Sequence, residues 1–369
     1  MKTMDINEID RRISEIAQEI DFYSLLTPLN REEEKEKFFD DLTKGQPYNP
    51  LFRYKYRDRR LDGKREWLEK AQAALESEDD IQRILVKKVD FIITQLDLLE
   101  CDDTRFRDIA AGLYGIPDTE CLKLAESILS ESRDQGYTFP EETVTPDEMA
   151  SILREDMENR KIPWKCVLSG KIVPKITVSG KDSTIYINSG VNYTAEEVQR
   201  LKVHEIQVHV FRGANGAAQP FGIFREGLAG YDETEEGLAM ISEDIAGCLK
   251  IDRRQEKLYA GRAVCVDYCM NGTFYETFTR LREFFPDYLA YRLAERGKRG
   301  LRDTSQKGGF TKGFHYISGW IKVRKYVEED GDLSILYVGK IGLGDVGAVR
   351  RLIDKGVLTL PRYLPEFIK

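Results

Sequence analysis

Apolar residues recur at three- and four-residue steps through roughly the first 135 residues. "INEIDRRISEIAQEIDFYSLL" and, more strongly, "DDIQRILVKKVDFIITQLDLLE" carry this spacing, which gathers the apolar side chains on one face of a helix. Between them, Gly and Pro interrupt the pattern in "GQPYNPLFRYKYRDRR". "DTRFRDIAAGLYGIP" and "DTECLKLAESILSESRDQG" complete a helical region. The rhythm changes near residue 160. "WKCVLSG", "PKITVSG" and "STIYINSG" are short β-rich runs separated by Ser-Gly or Gly-Lys turns, and they predict strands. In "TAEEVQRLKVHEIQVHVFRG", Thr194 and Glu197 have capping-box spacing, so a helix is expected from about Ala195 to Arg212, ending near Gly213. Further helices are expected around 235–258 and 275–297, and a β-like run in "LSILYVGK". The pattern predicts an α+β chain with a helical N-terminal region over 1–140 and a mixed catalytic domain over 141–369.

Composition narrows the function classes. The chain carries a net charge of −8, so no global positive field draws in nucleic acid or an anionic membrane surface. No run of about 18 apolar residues occurs, and the charged N-terminal stretch does not read as a signal peptide. Six scattered cysteines without a C-x-x-C pair fit free thiols in a reducing compartment, so a cytoplasmic location is expected.

The chain has three histidines, and two of them fall in "LKVHEIQVHV" with Glu205 between them. Zinc hydrolysis needs imidazole or carboxylate ligands, an open position for water and a nearby base. H-E-x-x-H meets that need because residues four apart share a helix face. His204 and His209 are five apart, and on a regular α-helix their side chains would diverge by about 140°. A π-bulge would restore a common face, so the spacing predicts a local distortion between Ile206 and Val208 if one ion is to be held. A glutamate from the later segment "YDETEEGLAMISED" could complete the set. Position alone leaves Glu233, Glu235 and Glu236 open.

Several ordered segments resemble one family. "IYINSGVNYTAEEVQRLKVHEIQVHVFRGANGAAQPF", "DETEEGLA", "GGFTKGFHYISG" and "LPRYLPEF" are similar to the QEGLA-motif proteins, which include the microtubule-associated tyrosine carboxypeptidases of animals. The resemblance implies a gluzincin-like metallopeptidase domain and a Zn²⁺ cofactor. It implies His204, His209 and Glu236 as ligands, Glu205 as base, and a peptide or protein C-terminal tail as substrate. Tubulin is implied for the animal members only. Gln207 and Val208 stand where the family usually has Gly-Thr, Gly313 stands where it has Asp, and His315 is an addition.

From this reading Tyr316 is the candidate oxyanion donor, with His315 second. Arg212, three residues beyond His209, and Lys312 are candidates for the substrate carboxylate, and Asn215 for the cleft lining. "STIYINSG" is expected to be an edge strand that pairs with an extended peptide. The basic stretches 53–65 and 292–307 read first as solvated surface and second as a dock for an acidic peptide tail or RNA. Two alternatives stand beside the carboxypeptidase. One is a dipeptidyl-peptidase-type exopeptidase, which shares H-E-x-x-x-H. The other is a zinc-containing regulatory protein without turnover, against which the presence of Glu205 argues.

Overall fold

The computed structural model describes residues 5–368 apart from 21, 56–59, 76–78, 132–140, 173 and 252. Part of the basic stretch 53–65 therefore lies outside the described residues. The chain is mostly helical with one small mixed sheet, an α+β arrangement. Seven helices come first: α1 (Ile6–Glu19), α2 (Phe22–Leu25), α3 (Arg31–Thr43), α4 (Arg60–Ala74), α5 (Asp80–Glu100), α6 (Asp103–Tyr114) and α7 (Thr119–Glu131). After α8 (Pro146–Asn159) come β1 (Lys165–Ser169), β2 (Ile176–Ser179) and β3 (Thr184–Asn188). Then follow α9 (Ala195–Leu201), a π-helix (Lys202–Val210), α10 (Phe211–Ala217), α11 (Ile223–Glu226), α12 (Tyr231–Ile245), α13 (Cys248–Ile251) and α14 (Arg253–Asn271). The chain finishes through α15 (Phe274–Leu281), α16 (Asp287–Lys298), α17 (His315–Glu328) and α18 (Val346–Asp354).

The N-terminal helices follow their apolar periodicity. Ile9, Ile13 and Ile16 of α1 are buried, as are Ile81, Ile84, Leu85, Val89, Ile92 and Leu96 of α5. Their core is continuous with the rest of the chain. Phe38 of α3 packs edge-on against Phe274 and Phe278, with ring centres 5.3 and 4.7 Å apart. The buried Asp10 carboxylate accepts the backbone N–H groups of Gly222 (2.7 Å) and Ile223 (3.1 Å), which fixes α1 on the segment leading into α11. Packing therefore crosses the sequence boundary at 140/141.

Two expectations are corrected. The "STIYINSG" strand, β3, is the central strand of the sheet. It pairs in parallel with β1 and antiparallel with β2, so both backbone edges are used and none is left for a peptide. Ile185 and Ile187 of β3 are fully buried, and a local apolar pattern of that kind fits a central strand as well as an edge. The β-like run "LSILYVGK" instead forms a 3₁₀ turn over Leu333–Tyr337. The Asp332 side chain caps this turn by accepting the Ser334 N–H, and the following carbonyls are bonded by side chains from elsewhere. The two helical stretches expected over 235–258 and 275–297 are each divided, into α12–α14 and α15–α16.

The capping box at Thr194 and Glu197 starts α9 as expected. Two of the motif segments meet in a close helix crossing. A Cβ added to Gly237 of α12 would lie 2.1 Å from the Gly319 carbonyl carbon of α17. Glycine at both positions lets the two backbones touch, and this fixes the level of Glu235 and Glu236, which immediately precede Gly237 on α12. All six cysteines are free. Among the described residues no helix is long and apolar enough to cross a membrane.

Candidate metal centre

Continuous with α9 and α10, the π-helix runs over nine residues, more than the one-residue bulge expected from the spacing. Its i→i+5 hydrogen bonding brings residues five apart close to one face. The His204 and His209 rings accordingly lie with centres 4.8 Å apart and planes at 66°. Potential ligand atoms of His204, Glu205 and His209 all fall within 4.8 Å of one another. The π-helix packs against α12, which carries the "TEEGLA" segment.

Two buried carboxylates orient the histidines from behind. Nδ1 of His204 lies 2.7 Å from Glu243 Oε1, which also accepts from Arg200 (3.2 Å) and the Tyr259 hydroxyl (3.2 Å). Nδ1 of His209 lies 3.3 Å from Glu235 Oε2. Each ring is left with Nε2 as its unengaged nitrogen, the arrangement in which second carboxylates fix tautomer and direction for a metal ligand. Burial opposes charge on His204, but the hydrogen bond and charge of Glu243 prevail and hold its pKa up at about 9. Glu235 is held well below the usual carboxylate range: burial opposes this, but Lys340, His209 and Arg212 outweigh it. Glu243 is likewise lowered, against burial, by Arg200 and His204.

Glu236 approaches from α12. Its Oε2 is 3.8 Å from Nε2 of His204, and that oxygen is buried without a hydrogen-bond partner. A buried, unpaired carboxylate oxygen facing an imidazole is costly unless a cation joins them. Two imidazoles with free Nε2 atoms, this orphaned oxygen and the Glu205 carboxylate form a donor set of the kind zinc takes. Of the three glutamates left open by sequence position, Glu236 faces His204, Glu235 backs His209, and Glu233 turns away to Ser318 (2.6 Å) and Lys322.

Tyr316 of α17 borders this group. Its ring stacks on Tyr259 at 4.5 Å and lies 4.7 Å from the Arg262 guanidinium. Burial and the nearby Glu236 push its hydroxyl up to about 12, so it stays protonated and able to donate.

The remaining sequence candidates are occupied elsewhere. Arg212 is fully buried, donating through Nε to the carbonyls of Leu336 (2.9 Å) and Gly339 (3.2 Å) and through Nη2 to that of Ile341, with Glu235 at 3.4 Å. It clamps the 336–341 loop, while its Nη1 makes no hydrogen bond and faces the Glu235 carboxylate. Asn215 binds the Tyr363 carbonyl and accepts the N–H groups of Arg362 and Tyr363, tying down the C-terminal segment. Lys312 is engaged by Asp232 and the Tyr23 hydroxyl. His315 is buried with Nε2 2.9 Å from the Tyr114 carbonyl oxygen, and burial lowers its pKa. The side chain of Gln219 holds Val338 and Thr359, a structural role.

Sequence reasoning missed Glu243 and the orienting role of Glu235. Glu243 had a legible signal: it lies seven residues after Glu236, two turns along the same face of α12.

Comparison with known proteins agrees with the resemblance. The family model described as microtubule-associated tyrosine carboxypeptidase matches residues 36–369. Microtubule-associated tyrosine carboxypeptidase 1 of Mus musculus is 30% identical over 175 residues, covering 45% of this chain and 35% of that protein. Its Homo sapiens counterpart is 30% identical over the same coverage. The putative tyrosine carboxypeptidase MATCAP2 of Mus musculus is 28% identical over 192 residues, 50% of this chain and 35% of that protein. The chain thus aligns with about a third of the length of these relatives. With the family model extending over most of its residues, the chain belongs to the microtubule-associated tyrosine carboxypeptidase family.

Proposed function

We propose that this chain is a gluzincin-like, zinc-dependent carboxypeptidase that hydrolyses the last peptide bond of a peptide or protein tail. The supporting observation is the pairing of His204 and His209 on a π-helix. Each is backed by a buried carboxylate, both stand beside Glu205, and the unpartnered Glu236 oxygen faces His204. His204, His209 and Glu236 would hold the ion. Zinc bound there supplies a Lewis acid and lowers the pKa of water to about 7. Glu205 accepts the proton of the attacking water and passes it to the leaving amine. Tyr316 donates to the developing oxyanion. Glu243 and Glu235 keep the imidazoles aimed as charge shifts.

The relatives are named for tyrosine carboxypeptidase activity, which supports release of a terminal Tyr or another aromatic residue. The free cysteines fit action in the cytoplasm. Peptides blocked at one end separate this reading from an aminoterminal exopeptidase. N-terminally acetylated peptides should be trimmed and C-terminally amidated ones left whole; the reverse pattern would refute it.

A further inference from the structure

Positive charge gathers without its counter-ion on the far side of Tyr316. Arg262 of α14 and Arg296 of α16 line a common cavity with Leu293, Phe310 and Gly313. Arg299 follows Arg296 by three residues. Among the described residues no ion pair joins any of the three to an acid, and the buried Nε atoms of Arg296 and Arg299 have no hydrogen-bond partner. Their contacts are aromatic: Arg262 lies 4.7 Å from the Tyr316 ring centre, and Arg299 lies 4.3 Å from that of Phe310. Neighbouring charges are already committed. Lys298 donates to the carbonyls of Cys269, Gly272 and Gln306, and Glu295 is taken by Arg31.

All three are partly buried, and like charges this close repel one another, which an anion between them would offset. Burial and the field of Arg262 hold Arg296 below its ordinary pKa, and burial with Arg296 pushes Arg299 down to about 10. The cluster also borders the reacting groups. Tyr316 and Glu236 both act electrostatically on Arg296. Tyr316 in turn stacks on Tyr259, whose hydroxyl donates to the Glu243 carboxylate behind His204. An anion received here would lie on the side of Tyr316 and Glu236, and in a carboxypeptidase the substrate's own terminus is such an anion.

We propose that Arg296, seconded by Arg262, receives the α-carboxylate of the substrate's last residue. A guanidinium fork matches a carboxylate in two parallel hydrogen bonds, and Arg212 and Lys312 are both engaged within the fold. The proposal rests on the carboxypeptidase reading, and it gives part of the basic stretch 292–307 a role within the site.

The test measures binding without turnover. In the full chain carrying E205Q, fluorescence anisotropy compares two labelled peptides that differ only in a terminal carboxylate or carboxamide. The free acid should bind about tenfold tighter or more, the worth of a charge-assisted pair of hydrogen bonds. Adding R296Q should bring the acid down to the affinity of the amide and leave the amide unchanged. R262Q should reduce the preference several-fold. If R296Q does not fold, R296K carries the same test, because a lysine loses the fork: a preference cut several-fold supports the proposal and an unchanged one overturns it. An acid preference that survives R296Q, or a loss shared equally by both peptides, overturns the assignment of Arg296 while leaving the carboxypeptidase reading in place. No acid preference in E205Q itself would remove both.

Discussion

Arg212 offers the sharpest contrast between a substrate-binding and a structural role. In R212L the carbonyls of Leu336, Gly339 and Ile341 lose a charged donor inside the core. Each hydrogen bond to a charged group contributes about 1.5–3 kcal/mol. Glu235 keeps Lys340 at 3.6 Å and His209 at 3.3 Å, which cushions the loss of its third cation. The net cost is expected near 3–5 kcal/mol, as for removing one member of a buried pair. Against a typical stability of about 5–15 kcal/mol this is a large fraction, and thermal unfolding should fall by roughly 5–15 °C. Denaturation followed by circular dichroism, together with peptide kinetics below the new transition, separates the two roles. KM for free-acid peptides should stay within about threefold of wild type, since uniform binding would be untouched. A variant as stable as wild type with KM raised tenfold or more would show that Arg212 meets the substrate and that its buried clamp is misassigned.

Glu243→Gln keeps an acceptor for His204 but removes the charge; zinc affinity, read by competition with a chromophoric chelator, should fall about 10–100-fold, and an unchanged affinity would deny Glu243 its orienting role. Lys88 is buried, donates to the Gly227 carbonyl, and is pushed by burial down to about 8. Between that value and the free lysine value the unfolded chain holds more protons than the folded one, so this group makes stability rise with pH. Wild type should gain about 2 kcal/mol over K88M between pH 7.5 and 9.5 in urea unfolding; a pH-independent difference would contradict the burial. Gly237→Ala forces α12 off α17 and should cost about 1–3 kcal/mol along with peptidase activity. Gly112→Ala, with nothing within 4 Å of the added carbon, should be neutral or slightly stabilising. Equal effects from the two would refute the close crossing.

Local signals in the chain carried much of the site. The five-residue step from His204 to His209 predicts a widened helix if the two rings are to share a face, and the structure has a π-helix there. The capping box and the three short strands were also readable, because each is set by a few adjacent residues. What escaped depends on distant partners. Arg212 and Asn215 look like cleft polar groups until the carbonyls and amides of 336–363 arrive more than a hundred residues later and use them. The central place of β3 was hidden for the same reason, since alternation reports a buried face and not the number of neighbouring strands. The Gly of "EEGLA" gave no chemical hint. Its meaning is the contact with Gly319 of another motif segment, visible only once α12 and α17 cross.

The most direct measurement pairs metal analysis with mass spectrometry of peptides ending in Tyr, for wild type and E205Q purified in parallel. Both proteins should carry stoichiometric zinc. Wild type should remove the terminal residue alone, while E205Q leaves the peptide whole. Trimming by E205Q at the wild-type rate, or intact peptide in the presence of zinc-loaded wild type, would contradict the assignment of Glu205 and the carboxypeptidase function with it.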